Sequence, residues 1–362
     1  MQDEGYINNT GLSGSSLKDF EWMSPRIWKE TYLDKTSEKE NKLHFNKGSY
    51  LDSLMLNPDN IEESFYIGDF KSKISESIQT IVDSIYKKLL KEYQSFVCHV
   101  DFSNVEDETI NKIIVEYANY ANYGNGNYKD DRIIKEIREK GKEYFDFLCI
   151  ANGRIIISMQ DQLLALDKKS ALLNTNYTAP YFMQQKDELL YHHLQIFVDG
   201  LKGELDILRI VPKEKTIYIP DLKTSHSSFQ FMENVRKFSY ATQLGFYKHL
   251  VKLLFSGAPT VLNKEVAIKE EFFNYKIICQ NIVIDEKSMK PMIYQYSDED
   301  LDYYEYGSEV MKNIYPNIRY RRGWKNTLEI IKWHIANDKW DLSKGHYEKG
   351  HILIDLINGR NE

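Results

Sequence analysis

Residues 203–247 run GELDILRIVPKEKTIYIPDLKTSHSSFQFMENVRKFSYATQLGFY. Leu205–Val211 and Thr216–Asp221 are rich in Ile, Leu and Tyr, and the Pro-Lys-Glu-Lys between them is turn chemistry, so the stretch predicts a β-hairpin followed by a long helix. A turn centred between Lys213 and Glu214 fixes the register by subtraction: Asp206 stands opposite Asp221, and Glu204 opposite Lys223. Side chains alternate along a strand, so Glu204, Asp206, Asp221 and Lys223 share one face. Carboxylates grouped around one ammonium make a poor core and a good site for a hard cation. Magnesium prefers oxygen ligands and keeps several waters, so two protein carboxylates are enough to hold it.

Lys223 adds a charge that can orient or deprotonate an attacking oxygen, or stabilise charge building on a phosphate. On the following helix Tyr240, Gln243 and Tyr247 fall at i, i+3 and i+7 and share a face. Thr224, Ser225, Ser227 and Ser228 put hydroxyls in the turn between strand and helix, where donors can meet an anion. By itself an Asp-x-Lys on a strand is more often solvated edge charge, and Gln-x-x-x-Tyr more often a helix surface packed on its sheet. What distinguishes this stretch is the order of its parts: Asp, hairpin, Asp-x-Lys, Ser/Thr turn, then Gln-x-x-x-Tyr.

That order, with Pro220-Asp221-Leu222-Lys223 as its signature, resembles the PD-(D/E)XK nuclease superfamily, and within it the exonuclease VIII (RecE-type) and phage lambda-type recombination exonucleases. The resemblance covers the N-terminal helices and about residues 150–285. It implies an α/β fold, a mixed central β-sheet flanked by helices in a restriction-endonuclease-like core. It also implies a magnesium-dependent DNA nuclease, with manganese as a substitute, acting as an exonuclease on linear double-stranded DNA in phage-type recombination or replication. Asp206, Asp221 and the Leu222 carbonyl would hold the metal, Lys223 would position or activate water, and Gln243 and Tyr247 would orient the site and the DNA. Relatives form rings around DNA, so a homo-oligomer and a single-strand annealing partner are implied beside DNA itself. Some relatives carry a four-cysteine iron–sulfur cluster, which Cys98, Cys149 and Cys279 cannot build. A non-catalytic DNA-binding or assembly component that keeps the nuclease fold is the reading of a different class.

Upstream, Leu12–Tyr32 (LSGSSLKDFEWMSPRIWKETY) predicts amphipathic helix capped at Ser15 or Ser16, with a break at Ser24-Pro25. Its Ser-x-Leu-x-x-Phe followed by Ser-Pro also resembles the opening of RecE-like chains, which implies Ser16, Lys18 and Arg26 as phosphate contacts. In Lys47–Pro58, Leu51, Leu54 and Met55 mark a buried helical stripe. The family's metal-binding His position in this stretch is Asp52 here, a hard oxygen ligand that could take the same place. The alternative is a polar helix residue and a second metal that is lost or weak.

Residues 70–147 carry apolar residues at helical spacing and an Asn/Gly-rich link, and predict a helical insertion. Arg154–Leu173 predicts a helix capped by Ser158, and Tyr181–Val198 a strand; Glu188 sits where RecE-like chains carry a Glu before this strand, which implies a supporting carboxylate. His192 and His193 are adjacent, so on a strand they point to opposite faces, cannot both serve one site, and read as cross-strand packing or hydrogen-bonding residues. Phe272–Ile284 predicts a strand or pair of strands, Asp298–Met311 an outer helix, and 286–362 a C-terminal helical extension. In 317–333 (NIRYRRGWKNTLEIIKW), Arg319, Arg321, Arg322 and Lys325 interleave with Tyr320 and Trp324. That mixture suits a groove tracking a nucleic-acid backbone with stacked bases, and equally a helix with Trp324, Leu328 and Trp333 in the core.

The 362 residues, 42% hydrophobic and 28% charged, suffice for one large domain, expected as a single nuclease-like domain over 1–362. With 26 Tyr and 17 Phe the chain is not of the disordered class. It shows no bilayer-length apolar run, no signal-peptide profile and no Walker-type Gly-x-x-x-x-Gly-Lys, and its three cysteines are scattered. A cytoplasmic protein of a bacterial or phage-infected cell is the expectation. The net charge of −7 argues against a protein that coats DNA and confines any DNA path to a local basic strip.

Overall fold

The computed structural model describes residues 11–36, 43–104, 106–311, 321–350, 354–355 and 360–361. In chain order its longer strands and their partners are β1 (Leu12–Ser13), β2 (Phe65–Ile67), β3 (Ile155–Ile157), β4 (Leu189–Val198), β5 (Leu201–Val211), β6 (Thr216–Ser225), β7 (Thr260–Leu262), β8 (Lys276–Asp285) and β9 (Met292–Gln295). The α-helices of seven residues or more begin with α1 (Gly14–Phe20), α2 (Pro25–Tyr32), α3 (Leu43–Leu56), α4 (Glu76–Tyr93), α5 (Glu108–Tyr120) and α6 (Asp130–Ala151). They continue with α7 (Met159–Asn174), α8 (Phe231–Phe238), α9 (Tyr240–Phe255), α10 (Asp298–Tyr306) and α11 (Trp324–Asn337).

Seven strands form one mixed sheet in the order β7-β4-β5-β6-β8-β9, with β1 paired parallel to the start of β5. β6 and β8 are parallel; the other neighbours on that path are antiparallel. This is the mixed α/β architecture expected from the sequence. Two compact units divide the chain: residues 1–58 with 164–362, which hold the sheet, and residues 59–163.

The hairpin takes the register its turn dictates. Pro212–Glu214 form a short 3-10 turn, Lys215 adopts φ 50°, and Val211–Thr216, Ile210–Ile217 and Arg209–Tyr218 pair. There the ladder stops. β5 continues along β4, while β6 continues along β8 to Ser225, so the two strands part just before Asp206 and Asp221.

β4 and β5 also depart from strict alternation. Tyr191, Leu194, Ile196 and Val198 all pack into one core, as do Leu201, Leu205 and Leu208 across from them. The phase slips by one at His193, whose φ is 47°, and at Asp206, where the β4–β5 pairing is interrupted between His192–Ile207 and Leu194–Leu205. The loop after β7 holds the slip. Asn263 Oδ1 accepts from the Gln195 N–H at 2.9 Å, Asn263 Nδ2 donates to the His193 carbonyl at 3.0 Å, and Lys264 Nζ bonds the His192 carbonyl.

α9 is buried nearly all round, as an apolar helix without a polar face must be. It packs on β4, β5, β6 and β8 and is covered by α1 and α10. Gly203 permits this approach, because a Cβ there would stand 2.5 Å from Leu250 Cδ1.

Several boundaries differ from the sequence reading. Ser13, not Ser15 or Ser16, caps α1, in a reciprocal capping box with Ser16. Ile155–Ile157 pairs with Phe65–Ile67 as a strand, and the helix begins only at Met159, with Ser158 Oγ accepting from the Asp161 N–H at 3.0 Å. The strand expected from Tyr181 starts at Leu189 because Ala179–Tyr181 forms a 3-10 turn. The stretch 286–362, expected as helical, opens with β9, which joins the sheet. The stretch 70–147, expected as a helical insertion, falls within the 59–163 unit, where Ile81, Val82, Ile85 and Leu89 of α4 pack with Ile114 of α5 and Ile137 and Phe145 of α6. The buried Arg138 ties that unit together, donating to the Phe102 carbonyl at 2.6 Å and to Asn111 Oδ1 at 2.9 Å.

Asp285, at the end of β8, secures the turn that follows β6. Its Oδ2 accepts from the Ser228 N–H at 2.7 Å and the Ser228 hydroxyl at 2.6 Å, and its Oδ1 from the Lys287 and Ser288 N–H groups. Burial alone would raise its pKa, but these hydrogen bonds outweigh burial and hold the carboxyl far below the usual range. A depressed carboxyl contributes stability above the unfolded-chain pKa of about 3.9 and loses it as pH falls further. Asp285→Asn should therefore cost about 2–4 kcal/mol at pH 7 in urea unfolding, with the gap to wild type starting to narrow only as pH falls below about 4. An equal stability at pH 7 would contradict this role.

Candidate active site

The site forms where β5 and β6 part. With no β5 carbonyl in reach, the Leu222 N–H donates to Asp206 Oδ2 at 2.8 Å. The N–H and C=O of a strand residue point to the same side, so the Leu222 carbonyl faces the opening as well. Lys223 Nζ lies 2.6 Å from Asp221 Oδ2 and 3.4 Å from the Leu222 carbonyl.

Asp221 is 1% exposed and held on both oxygens. Asn281, its register partner on β8, donates Nδ2 to Oδ2 at 2.8 Å and accepts the Tyr296 hydroxyl on Oδ1 at 2.6 Å. From α9, Gln243 Nε2 donates to Asp221 Oδ1 at 3.0 Å and to the Tyr247 hydroxyl at 2.9 Å. The Tyr240 ring lies 5.5 Å from Lys223 Nζ. Asp206, Asp221, Leu222, Lys223, Gln243 and Tyr247 thus lie together around one opening in the sheet. Asn281 and Tyr296 were missed. The first sits inside the apolar run KIICQNIVI, where a buried amide signals a partner it must satisfy.

Asp52 arrives from α3. A Cβ on Gly48, one turn earlier, would stand 3.6 Å from Thr224 Oγ1, which places this helix beside β6. His193 Nε2 lies 3.3 Å from Asp52 Oδ2, and its Nδ1 3.0 Å from Glu204 Oε1. Gln195 Nε2 donates to Glu204 Oε2 at 2.9 Å. This corrects two expectations that relied on unbroken alternation. Glu204 turns to His193 and Gln195 instead of Lys223, and His193 belongs to the site while His192 bonds the Tyr181 carbonyl at 3.1 Å. Glu188 is not a supporting carboxylate: it clamps Arg209 at 2.6 and 2.9 Å.

Burial pushes Asp221 up to about 7, with the Asp206 charge adding to it against the pull of Lys223. Burial and the Asp52 charge raise Asp206 to about 6, and burial raises Asp52 to about 6 despite His193. Burial acts to lower Lys223, but the Asp221 and Asp206 carboxylates outweigh it, so the amine stays an ammonium at neutral pH. Burial likewise opposes the charge on His193, and Glu204 and Asp52 overcome it.

A hard dication fits these residues. The ammonium of Lys223 is itself a cation held by Asp221 and the Leu222 carbonyl, two of the oxygens expected to bind metal. The donor set is all oxygen, which suits magnesium or manganese. Among the described residues no three His, Cys, Asp or Glu side chains converge on a ready-made metal cluster. The oxygens that would hold such an ion are those of Asp206, Asp221 and the Leu222 carbonyl, with Asp52 as a further candidate.

The residues expected along the nucleic-acid path are scattered. Ser16 is buried and spent on its cap, its hydroxyl donating to the Ser13 carbonyl at 2.7 Å, so it is no phosphate contact. Lys18 is half-buried near Glu21, and the exposed Arg26 pairs with Glu30 at 3.2 Å. Thr224 lies beside α3, and Ser225 Oγ donates to the Ser227 carbonyl inside the turn. Arg321 lies 3.7 Å from Glu21 and bonds Ser239 and Thr242, Lys325 pairs with Glu305 at 2.7 Å, and Arg322 bridges to Gly307. Trp324 is a core residue. Arg319 and Tyr320 lie outside the described residues.

No family model matches the chain, and no curated protein matches it. A crystal structure of a "Putative exonuclease" from Eubacterium rectale aligns with 92% of this chain and 87% of its own, at 13% identity and a TM-score of 0.41. No helix among the described residues is long and apolar enough to cross a membrane.

A carboxyl whose folded pKa is raised stabilises the fold only while protonated, so its cost grows as pH climbs from about 4 through the folded value. Asp206→Asn keeps an oxygen for the Leu222 N–H and removes that charge. In EDTA it should stabilise the protein by about 1–3 kcal/mol at pH 8 and by far less at pH 4.5, measured by urea unfolding. Magnesium should raise the melting temperature of wild type and not of the variant. A variant destabilised at pH 8 would show that the site is not crowded with negative charge.

Proposed function

We propose that the chain is a divalent-metal-dependent deoxyribonuclease. The observation that carries this reading is the parted hairpin, with Asp206 bonded to the Leu222 N–H and Lys223 held over Asp221 and the Leu222 carbonyl. Asp206, Asp221 and the Leu222 carbonyl would hold magnesium or manganese, with Asp52 as a further ligand. Such an ion, when bound, supplies Lewis acidity to a phosphodiester and lowers the pKa of water.

The chain's own residues do the rest. Lys223, whose charged form Asp221 and Asp206 favour against burial, would donate hydrogen bonds and positive charge to the scissile phosphate and position the attacking water. Asn281 and Gln243 fix both oxygens of Asp221, so that carboxylate needs little reorganisation. Gln243 also orients the Tyr247 hydroxyl towards the DNA backbone. His193, tied to Glu204, sets the position of Asp52.

The resemblance read from Pro220–Lys223 and Gln243–Tyr247 narrows the proposal to an exonuclease on linear double-stranded DNA in phage-type recombination or replication. On that reading it works in the cytoplasm, as a ring beside a single-strand annealing protein. The net charge of −7 and Asp52 in place of the family's metal-binding His favour a second reading, a DNA-binding or assembly component without catalysis.

End-labelled linear and closed circular DNA should be incubated with the protein and magnesium or manganese. Loss of linear DNA only, abolished at least 100-fold by Asp221→Ala and by Lys223→Ala, is the expected result (a loss of the size seen for removed transition-state donors is about 100- to 1,000-fold). Cutting of circles would make it an endonuclease. DNA binding without metal-dependent cleavage, or cleavage indifferent to both substitutions, would overturn the catalytic reading.

A further inference from the structure

We propose that the exposed face of α8 holds the single nucleic-acid strand entering the site, with bases on Phe229, Met232 and Phe238 and phosphates on Arg236 and Lys237. The proposal rests on the nuclease reading and adds the form in which the substrate arrives. α8 turns Phe231 and Val235 inward onto Val283 and leaves large apolar groups outside: Phe229 is 69%, Met232 51% and Phe238 41% exposed. Met232 and Arg236 fall at i and i+4 on one side of α8, Phe229 lies in the turn just before it, and Phe238 closes its C-terminal end. Arg236 and Lys237 are exposed beside them, with Glu233 as the one acidic neighbour on the helix.

Two observations join this face to the chemistry. The Phe238 ring lies 5.7 Å from Tyr240, and Tyr240 lies 5.5 Å from Lys223 Nζ, so aromatic surface runs from solvent to the reacting lysine. The second is charge. On a chain of net charge −7, Arg321 and Lys325 of the expected basic strip face Glu21 and Glu305. Among the described residues neither Arg236 nor Lys237 has a carboxylate at ion-pair distance, and Lys237 Nζ lies over the Phe238 ring at 5.3 Å. Cations interleaved with exposed rings suit a strand whose unpaired bases offer π-faces; bases inside a duplex do not.

The test is fluorescence anisotropy of the full chain in EDTA with a labelled 12-nucleotide single strand and the matching duplex. Phe238→Ala should weaken single-strand binding about tenfold, in line with one lost base stack. Arg236→Gln with Lys237→Gln should reduce the slope of log affinity against log salt by about 1.4, two single-strand phosphate contacts. Unchanged single-strand binding in both variants would overturn the proposal while leaving the nuclease reading standing. So would concentration-dependent self-association removed by Phe229→Ser and Met232→Ser, because the face would then meet a second copy. A wild type that binds neither DNA form would overturn the nuclease reading as well. All substituted side chains are exposed, and equal melting temperatures confirm that the variants fold.

Discussion

One hydrogen bond sets the site: the Leu222 N–H donating to Asp206 instead of to a β5 backbone carbonyl. A central strand normally spends its N–H and C=O groups on both neighbours. β6 keeps its β8 ladder to Ser225 but leaves β5 after Tyr218, so one edge of the strand opens while the other stays rigid. A carboxylate can fill the gap for the N–H and leave the neighbouring carbonyl turned to the same opening. Charged groups can then lie inside a sheet that would otherwise exclude them.

Rigidity on the far side makes the arrangement affordable. Asp221 is fixed by Asn281 across a parallel ladder and by Gln243 from a helix buried on almost every side. The Asp206 region is fixed by the matching slip in β4 and β5, pinned by Asn263 and Lys264. Three carboxylates buried beside one ammonium cost stability: burial, added to by their mutual repulsion, raises their pKa values against the pull of Lys223. Strain of this kind persists where a ligand of opposite charge relieves it.

Much of this was legible in the sequence because it depends on local rules. A four-residue turn fixed the pairing arithmetic, and helical spacing placed Gln243 and Tyr247 on one side of α9. The misses have one physical source, information held far along the chain. Alternation assumes an unbroken pleat, and the pleat breaks at His193 because Asn263 and Lys264 hold it. Asn281 was hidden in an apolar strand whose partner becomes visible only through the β6–β8 register. The basic strip read as open because its carboxylates, Glu21 and Glu305, come from α1's end and α10. The Glu188 role failed likewise, through Arg209 on the next strand.

The most direct measurement is anomalous diffraction at the manganese edge from crystals grown with manganese. The account requires a peak within about 2.5 Å of Asp206, Asp221 and the Leu222 carbonyl, with the Lys223 ammonium displaced from between them. A map without a peak there, with Lys223 still paired to Asp221 at saturating manganese, would contradict it.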